Sequence, residues 1–389
     1  MKPLLSSQSI ALLRLGFRPF YLCAALFATL AIPAWVAVCL GQIEWTAALP
    51  PLHWHAHEML FGFVSAVIIG FLLTAGRNWT GLATPRGPLL AVLVALWLAG
   101  RLSALLAPTS VFAWVDVLLI PLVALILCVV LLRAKNIRNL PIVGLLLLLT
   151  LSNVVFHLAQ ANVLALAPMR ALHAALALIV MLECIMAGRV IPWFTMGATP
   201  GLKIVASMRF EIATLTVTAV SLVLWVVDIS KPLTCVTLAC AAALHVHRQS
   251  TWHPLKTRKR PILWILHAAY AWIPVGLGLL ALAQLGWAPV SAGIHALAVG
   301  ATGGLIIGMT TRTARGHTGR PLTTGRMELS AYALVMLAAL IRVFVPLLAP
   351  GETVLAWTSA AIAWSAAFAL YLAVYGPWLM QSRVDGQDG

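Results

Sequence analysis

Residues 58–75, EMLFGFVSAVIIGFLLTA, form a run whose only charge is its first residue, Glu58. At about 1.5 Å per helical residue such a run covers about 27 Å, close to the thickness of a hydrocarbon core. It has none of the period-two alternation of a barrel strand, so it reads as a membrane-crossing helix. Working outward, similar segments recur near residues 20–40, 88–106, 111–132, 140–165, 170–189, 211–228, 232–247, 261–284, 289–310, 328–349 and 354–379, making about twelve. With 62% hydrophobic and 9% charged residues over 389 positions, the chain has too few polar groups to cover a soluble globule. The expected fold is all-α, a polytopic transmembrane helical bundle forming a single integral membrane domain over residues 1–389, with no soluble domain.

An even number of spans puts both termini on one side, and the basic residues identify that side. Of the 25 Lys and Arg, only Arg101, Arg170, Lys231 and Arg342 fall on the face opposite the N-terminus. By the positive-inside rule both termini are expected in the cytoplasm, and the net charge of +15 is then a consequence of topology rather than a sign of nucleic-acid binding. Residues 1–9 are too short and polar for a cleaved signal peptide, so direct insertion is expected. The six cysteines form no Cys-x-x-Cys pair and lie mostly inside spans, which points to packing rather than to disulfides, zinc or thioether-linked haem.

Against this apolar background the histidines stand out. His53, His55 and His57 occupy alternate positions on the outer connection into the second span, followed at once by Glu58. If that run is extended, all three imidazoles share a side; if helical, His53 and His57 share a face and His55 turns away. Either arrangement offers at least two nitrogens to one metal, and imidazole suits copper and haem iron. His157, His173 and His295 lie in the outer half of three further spans, where an ionisable side chain is costly and marks function by default. His267 lies about two turns into its span from the cytoplasmic side, either holding a second cofactor or hydrogen-bonding locally. His245, His247, His253 and His317 stand among basic residues and are expected to be solvated or to face headgroups. Glu183, deep in the sixth span, reads either as a proton relay or as a carboxyl that is protonated or Arg-paired and holds helices together. The run Arg312–Pro321 contains two glycines and a proline that argue against a long helix and make it a topological anchor or an anion-binding loop.

Several blocks together resemble the NnrS family over nearly the whole chain: Leu15-Gly16-Phe17-Arg18-Pro19-Phe20, Trp54-His55-Ala56-His57-Glu58-Met59, Asn78-Trp79-Thr80-Gly81, Gly188-Arg189-Val190-Ile191-Pro192, and His295-Ala296-Leu297 continuing to Gly316-His317-Thr318-Gly319-Arg320-Pro321. Gly76-Arg77 departs from the proline-containing step expected before Asn78. The resemblance implies a haem- and copper-containing protein of the bacterial inner membrane, associated with nitric oxide metabolism, denitrification and nitrosative stress. The family motif marks His55, His57, Glu58, His295 and His317 without dividing them between metals.

The leading expectation is therefore a nitric oxide reductase or scavenger. Haem b is held by histidines among His157, His173, His267 and His295, copper or another metal by His53, His55 and His57, and protons are handled by Glu58 and Glu183. Nitric oxide is small, neutral and lipid-soluble, so it can reach an outer-leaflet site laterally. Its reduction needs electrons from a quinol or a redox protein, since no internal relay motif is present. Two alternatives remain: a membrane carrier of copper, haem or a nitrosylated metal complex, and a terminal oxidase like the haem-copper oxidases. The second lacks a His-Pro-Glu-Val block and a tyrosine four residues from a copper histidine.

Overall fold

The computed structural model describes residues 11–387. The leader expectation for residues 1–9 lies outside the described residues. Within them every regular element is helical. In chain order the helices are α1 (Phe17–Cys39), α2 (Pro51–Thr80), α3 (Pro88–Leu106), α4 (Thr109–Arg133), α5 (Ile137–Gln160), α6 (Pro168–Ala198), α7 (Met208–Val227), α8 (Lys231–Ser250), α9 (Pro261–Gln284), α10 (Val290–His317), α11 (Arg326–Leu348) and α12 (Pro350–Met380). All but α8 are both long and apolar enough to cross a membrane. α8 has the length but carries Lys231, His245, His247 and Arg248. The all-helical bundle of about twelve spans expected from hydropathy is what the chain forms.

Local chemistry sets the ends. Pro51, Pro88, Pro168 and Pro261 open their helices, where a missing N–H and a fixed φ cost nothing. Gly81 ends α2 at φ 69°, a left-handed turn that closes the last carbonyls. The outer surface is the converse of a soluble protein's: Leu26, Leu30, Leu125, Val223 and Ile362 are each more than half exposed, an arrangement stable only against lipid.

Contacts between distant residues fix two ends of the bundle. At one, which carries the basic residues, Arg18 at the start of α1 donates to the carbonyls of Leu379 and Gln381 at 2.9 and 2.7 Å, and Arg315 pairs with Glu328. At the other, His53 at the start of α2 meets Gln160 at the end of α5, Nδ1 to Oε1 2.8 Å. We call these the basic end and the histidine end.

Two corrections to the sequence reading arise here. The run Arg312–Pro321 does not interrupt the helix at once: α10 continues to His317, and the chain turns at Gly319, whose φ of 76° suits glycine alone. His245 is not solvated but fully buried, because α8 turns that face inward against α7 and α9.

Two helices are locally widened into π geometry, α2 over Glu58–Val64 and α10 over Ala296–Gly303. Each widened stretch begins immediately after a histidine, His57 and His295. A π turn inserts one residue into the helical ladder and rotates everything beyond it, a device often found where side chains must be re-aimed. In α2 the loosened ladder is supported from outside: the Gly62 carbonyl accepts from Trp97 Nε1 at 2.9 Å.

Candidate functional site

The short stretch Pro51–His57 is helical, so its three histidines are sent to three places. His53 bonds Gln160. His55 lies flat on Trp35, ring centroids 4.0 Å apart and planes 22° apart. His57 turns into a fully buried polar network. The helix does not gather the three rings about one point.

His57 organises the first cluster. Its Nδ1 is 3.1 Å from Glu58 Oε1 and its Nε2 lies 2.9 Å from Asn153 Oδ1 and 3.2 Å from Asp116 Oδ2. Asn153 donates its amide to Asp116 Oδ2 at 2.7 Å, which leaves its Oδ1 to accept from the imidazole. His157 Nε2 stands 3.3 Å from the same carboxylate oxygen. Arg101 closes the cluster, with Nη2 on Asp116 Oδ1 and Nε 3.2 Å from Glu58 Oε2. Phe112 and Phe156 wall it in. Five charged or ionisable groups in so little volume are tolerable only because each faces an opposite partner. Gly62 makes room for them: a Cβ there would stand 2.7 Å from Arg101 Nη1 and 3.1 Å from Glu58 Oε2. The three donor atoms of His57, Asp116 and His157 lie within 4.8 Å of one another, a two-imidazole, one-carboxylate set of the kind that binds first-row divalent ions.

The second cluster lines a cavity of about 410 Å³ at the same end, bounded by α1, α2, α6, α10, α11 and α12. Its walls are aliphatic and aromatic, interrupted by His55, His173, His295, Arg342, Ser291 and Thr302. His295 Nδ1 donates to the Ser291 carbonyl at 2.7 Å. That bond fixes the tautomer and leaves Nε2 with its lone pair free, as metal-ligating histidines usually are. His173 stacks on Trp225, centroids 4.9 Å apart. The buried Nδ1 of His55 has no hydrogen-bond partner. The Arg342 guanidinium lies over the Trp357 ring, 5.7 Å from its centroid, and no carboxylate pairs with it among the described residues.

The donor sets differ in their fitness for a bound group. In the cavity, imidazoles from three helices and an unpaired guanidinium surround apolar space of the size small-molecule cofactors occupy. Their spare bonding capacity fits a flat, apolar, metal-centred ring with acidic substituents. In the network the ligand atoms of His57 and Asp116 are shared with Asn153 and Arg101, contacts that an ion would replace, while Glu58 Oε2 and Arg101 Nη1 have no hydrogen-bond partner.

Of the remaining expected residues, His267 stays apart: its Nε2 meets Thr195 Oγ1 at 3.0 Å, toward the basic end. Glu183 lines a separate apolar cavity of about 110 Å³ between α2, α6 and α10, and its Oε2 makes no hydrogen bond. Arg101, Asp116, Asn153 and Arg342 were not singled out as site residues. A signal existed for two of them, since Arg101 and Arg342 are among the four cations on the minority side of the charge asymmetry.

No curated protein matches this chain. The family described as NnrS protein matches residues 11–383, nearly its whole length. The chain therefore belongs to the NnrS family of nitric-oxide-related membrane proteins.

Proposed function

We propose that this protein carries haem in the cavity between α1, α2, α6, α10, α11 and α12 and uses it in the bacterial inner membrane to reduce or scavenge nitric oxide. The observation that carries the reading is the convergence of His55, His173 and His295, with the unpaired Arg342, on one otherwise apolar space. Haem iron held there would supply an open coordination position and a change of oxidation state.

The residues present serve that role in distinct ways. His295, oriented through the Ser291 carbonyl, is the imidazole best prepared to hold the iron. His173 and His55 are presented from the other walls with their planes set by Trp225 and Trp35. Arg342 balances the carboxylates of a porphyrin, which could not otherwise enter a low-dielectric space. The aliphatic lining excludes water and admits a neutral diatomic gas from the lipid. A transition metal such as copper is assigned to His57, Asp116 and His157, in place of the grouping of His53, His55 and His57. His157 then belongs with that metal, and His267 is left as a hydrogen-bonded residue. Reduction of nitric oxide further requires an electron donor, a quinol or a redox protein.

Purified protein tests this directly. Stoichiometric haem b with optical bands that shift on adding nitric oxide is expected in the wild type. His295→Ala should abolish the haem spectrum, and His267→Ala should retain it. Non-haem metal should be lost in His157→Ala by elemental analysis. Haem-free wild-type protein that moves copper or haem across liposomes would replace this reading with the carrier alternative, and oxygen turnover without nitric oxide turnover would replace it with the oxidase.

A further inference from the structure

Three tyrosine hydroxyls, those of Tyr21 on α1, Tyr332 on α11 and Tyr371 on α12, are buried without a hydrogen-bond partner in the protein. Each ring is at most 3% exposed. An unsatisfied buried hydroxyl costs about 1–3 kcal/mol, so three in one region call for an explanation. They are not scattered. Tyr371, Tyr332 and Tyr21 are each a side-chain neighbour of one threonine on a single turn of α10, Thr310, Thr311 and Thr313 respectively. One side of α10 thus offers a ladder of threonine hydroxyls facing tyrosines from three other helices. The threonine protons are directed at carbonyls of their own helix, Thr310 to Ile306 at 2.8 Å and Thr311 to Ile307 at 2.7 Å, which leaves oxygen lone pairs toward the tyrosines. Small water molecules bridging such groups would find the two to four polar partners that buried water needs.

The ends of this line are equally specific. One helical turn toward the basic end, Glu328 on α11 accepts from Tyr375 on α12 at 2.8 Å and from Arg315, and Tyr375 stacks on Tyr371 with centroids 4.7 Å apart. In the other direction Tyr21 and Glu183 are the two polar residues lining the apolar cavity of about 110 Å³. Thr302 is a side-chain neighbour of the Glu183 carboxyl, its buried hydroxyl makes no bond of good geometry, and it lines the histidine cavity. Glu183 is thus the bridge between the tyrosine line and the cofactor space.

We infer that Glu328, Tyr332, Tyr371, Tyr21, Glu183 and Thr302, joined by water, conduct protons from the basic end of the bundle to the histidine cavity. Each hydroxyl takes a proton from one neighbour in the line and releases its own to the next, so no net charge is left on any tyrosine. The carboxyl of Glu183 gives its proton toward Thr302 and is reprotonated from Tyr21. The direction of use rests on the reading that the cavity houses proton-consuming chemistry; the conduit itself does not.

The test therefore reads the conduit without turnover. Protein in lipid nanodiscs is transferred from H2O to D2O, and infrared spectra follow the carboxylic C=O band that Glu183→Gln removes. In the wild type this band should shift quickly. Tyr371→Phe and Tyr332→Phe should each slow the shift at least tenfold, while Tyr270→Phe, whose hydroxyl bonds His245 and Arg248 off the line, should leave it unchanged. Because each removed hydroxyl faces only one threonine oxygen of α10 and makes no bond of good geometry, these variants should fold; thermal unfolding of the same samples checks this, and Tyr21→Phe supplies the same readout should one of them not assemble. Equal exchange rates in the wild type and all three line variants, or no carboxylic band assignable to Glu183, would overturn the conduit. Haem content of the same samples reports separately on the cofactor reading, so the two can fail independently.

Discussion

His55 and His57 are two residues apart on one short helix, yet they enter opposite kinds of environment. His57 spends both nitrogens on neighbouring oxygens within a network that Asp116, Asn153, Glu58 and Arg101 complete. His55 rests on an indole and keeps a nitrogen without a partner. The network is paired mostly within itself, with Glu58 Oε2 and Arg101 Nη1 left over, and its charges face opposite charges; in the cavity His55 Nδ1 has no partner, Arg342 has no carboxylate among the described residues, and His295 bonds only the Ser291 carbonyl. Burying polar groups is expensive in both places. In the network the protein itself offsets that cost, whereas in the cavity the offset is left to a bound group. Dense internal pairing makes the first region a structural hub that can also hold a single ion, and incompleteness marks the second as the place for a larger bound group.

The sharpest way to break the comparison is to remove the carboxylate at the centre of the network. Asp116→Ala leaves Arg101, His57 and His157 facing one another without their shared anion, and breaking such a buried ion set costs about 3–5 kcal/mol. We expect a large drop in the melting temperature, or loss of monodisperse protein in detergent. A cost below about 1 kcal/mol would show that the cluster is not the hub described.

The same kind of change in the cavity should have a smaller and different effect. Arg342→Gln removes a cation with no carboxylate partner among the described residues, so the apoprotein should lose no stability. What should fall is cofactor affinity, by about tenfold, equivalent to about 1.4 kcal/mol of lost charge-assisted bonding. Haem titration into the depleted variant measures this. Unchanged affinity with lowered stability would reverse the assignment of the two regions.

How much of this contrast was visible beforehand follows from what each feature depends on. The spans were legible because a run such as residues 58–75 is decided by composition over one helix length. The histidines were legible as candidates because polar residues inside spans are rare. Their grouping was not, since it depends on how six helices pack and on two π turns that begin just after His57 and His295. An apolar sequence does not announce a register shift of one residue. Asp116 sat in plain view as the lone carboxylate within residues 111–132, but only its approach to Arg101, Asn153 and His157 from two other helices gives it meaning. His245 was misread for a related reason: Arg248, three residues on, suggested solvent, whereas Arg248 is itself buried and paired with Glu211.

The smallest effect belongs to the third histidine of the motif, and it separates sequence pattern from geometry. His53 is half-buried at the rim, bonded to Gln160 and edge-on to Phe156 at 6.4 Å. It bonds no polar group of the network, reaching it only through Phe156, and does not line the cavity. His53→Ala deletes one partly exposed hydrogen bond, worth about 0.5–1.5 kcal/mol, and should leave both the haem spectrum and the non-haem metal content at wild-type levels. In either conformation the spacing of His53, His55 and His57 would put His53 and His57 on one side as ligands of one ion, and on that view His53→Ala should deplete metal as strongly as a change at His57. Paired elemental analyses of the His53 and His57 variants therefore decide whether the spacing or the helix sets the chemistry.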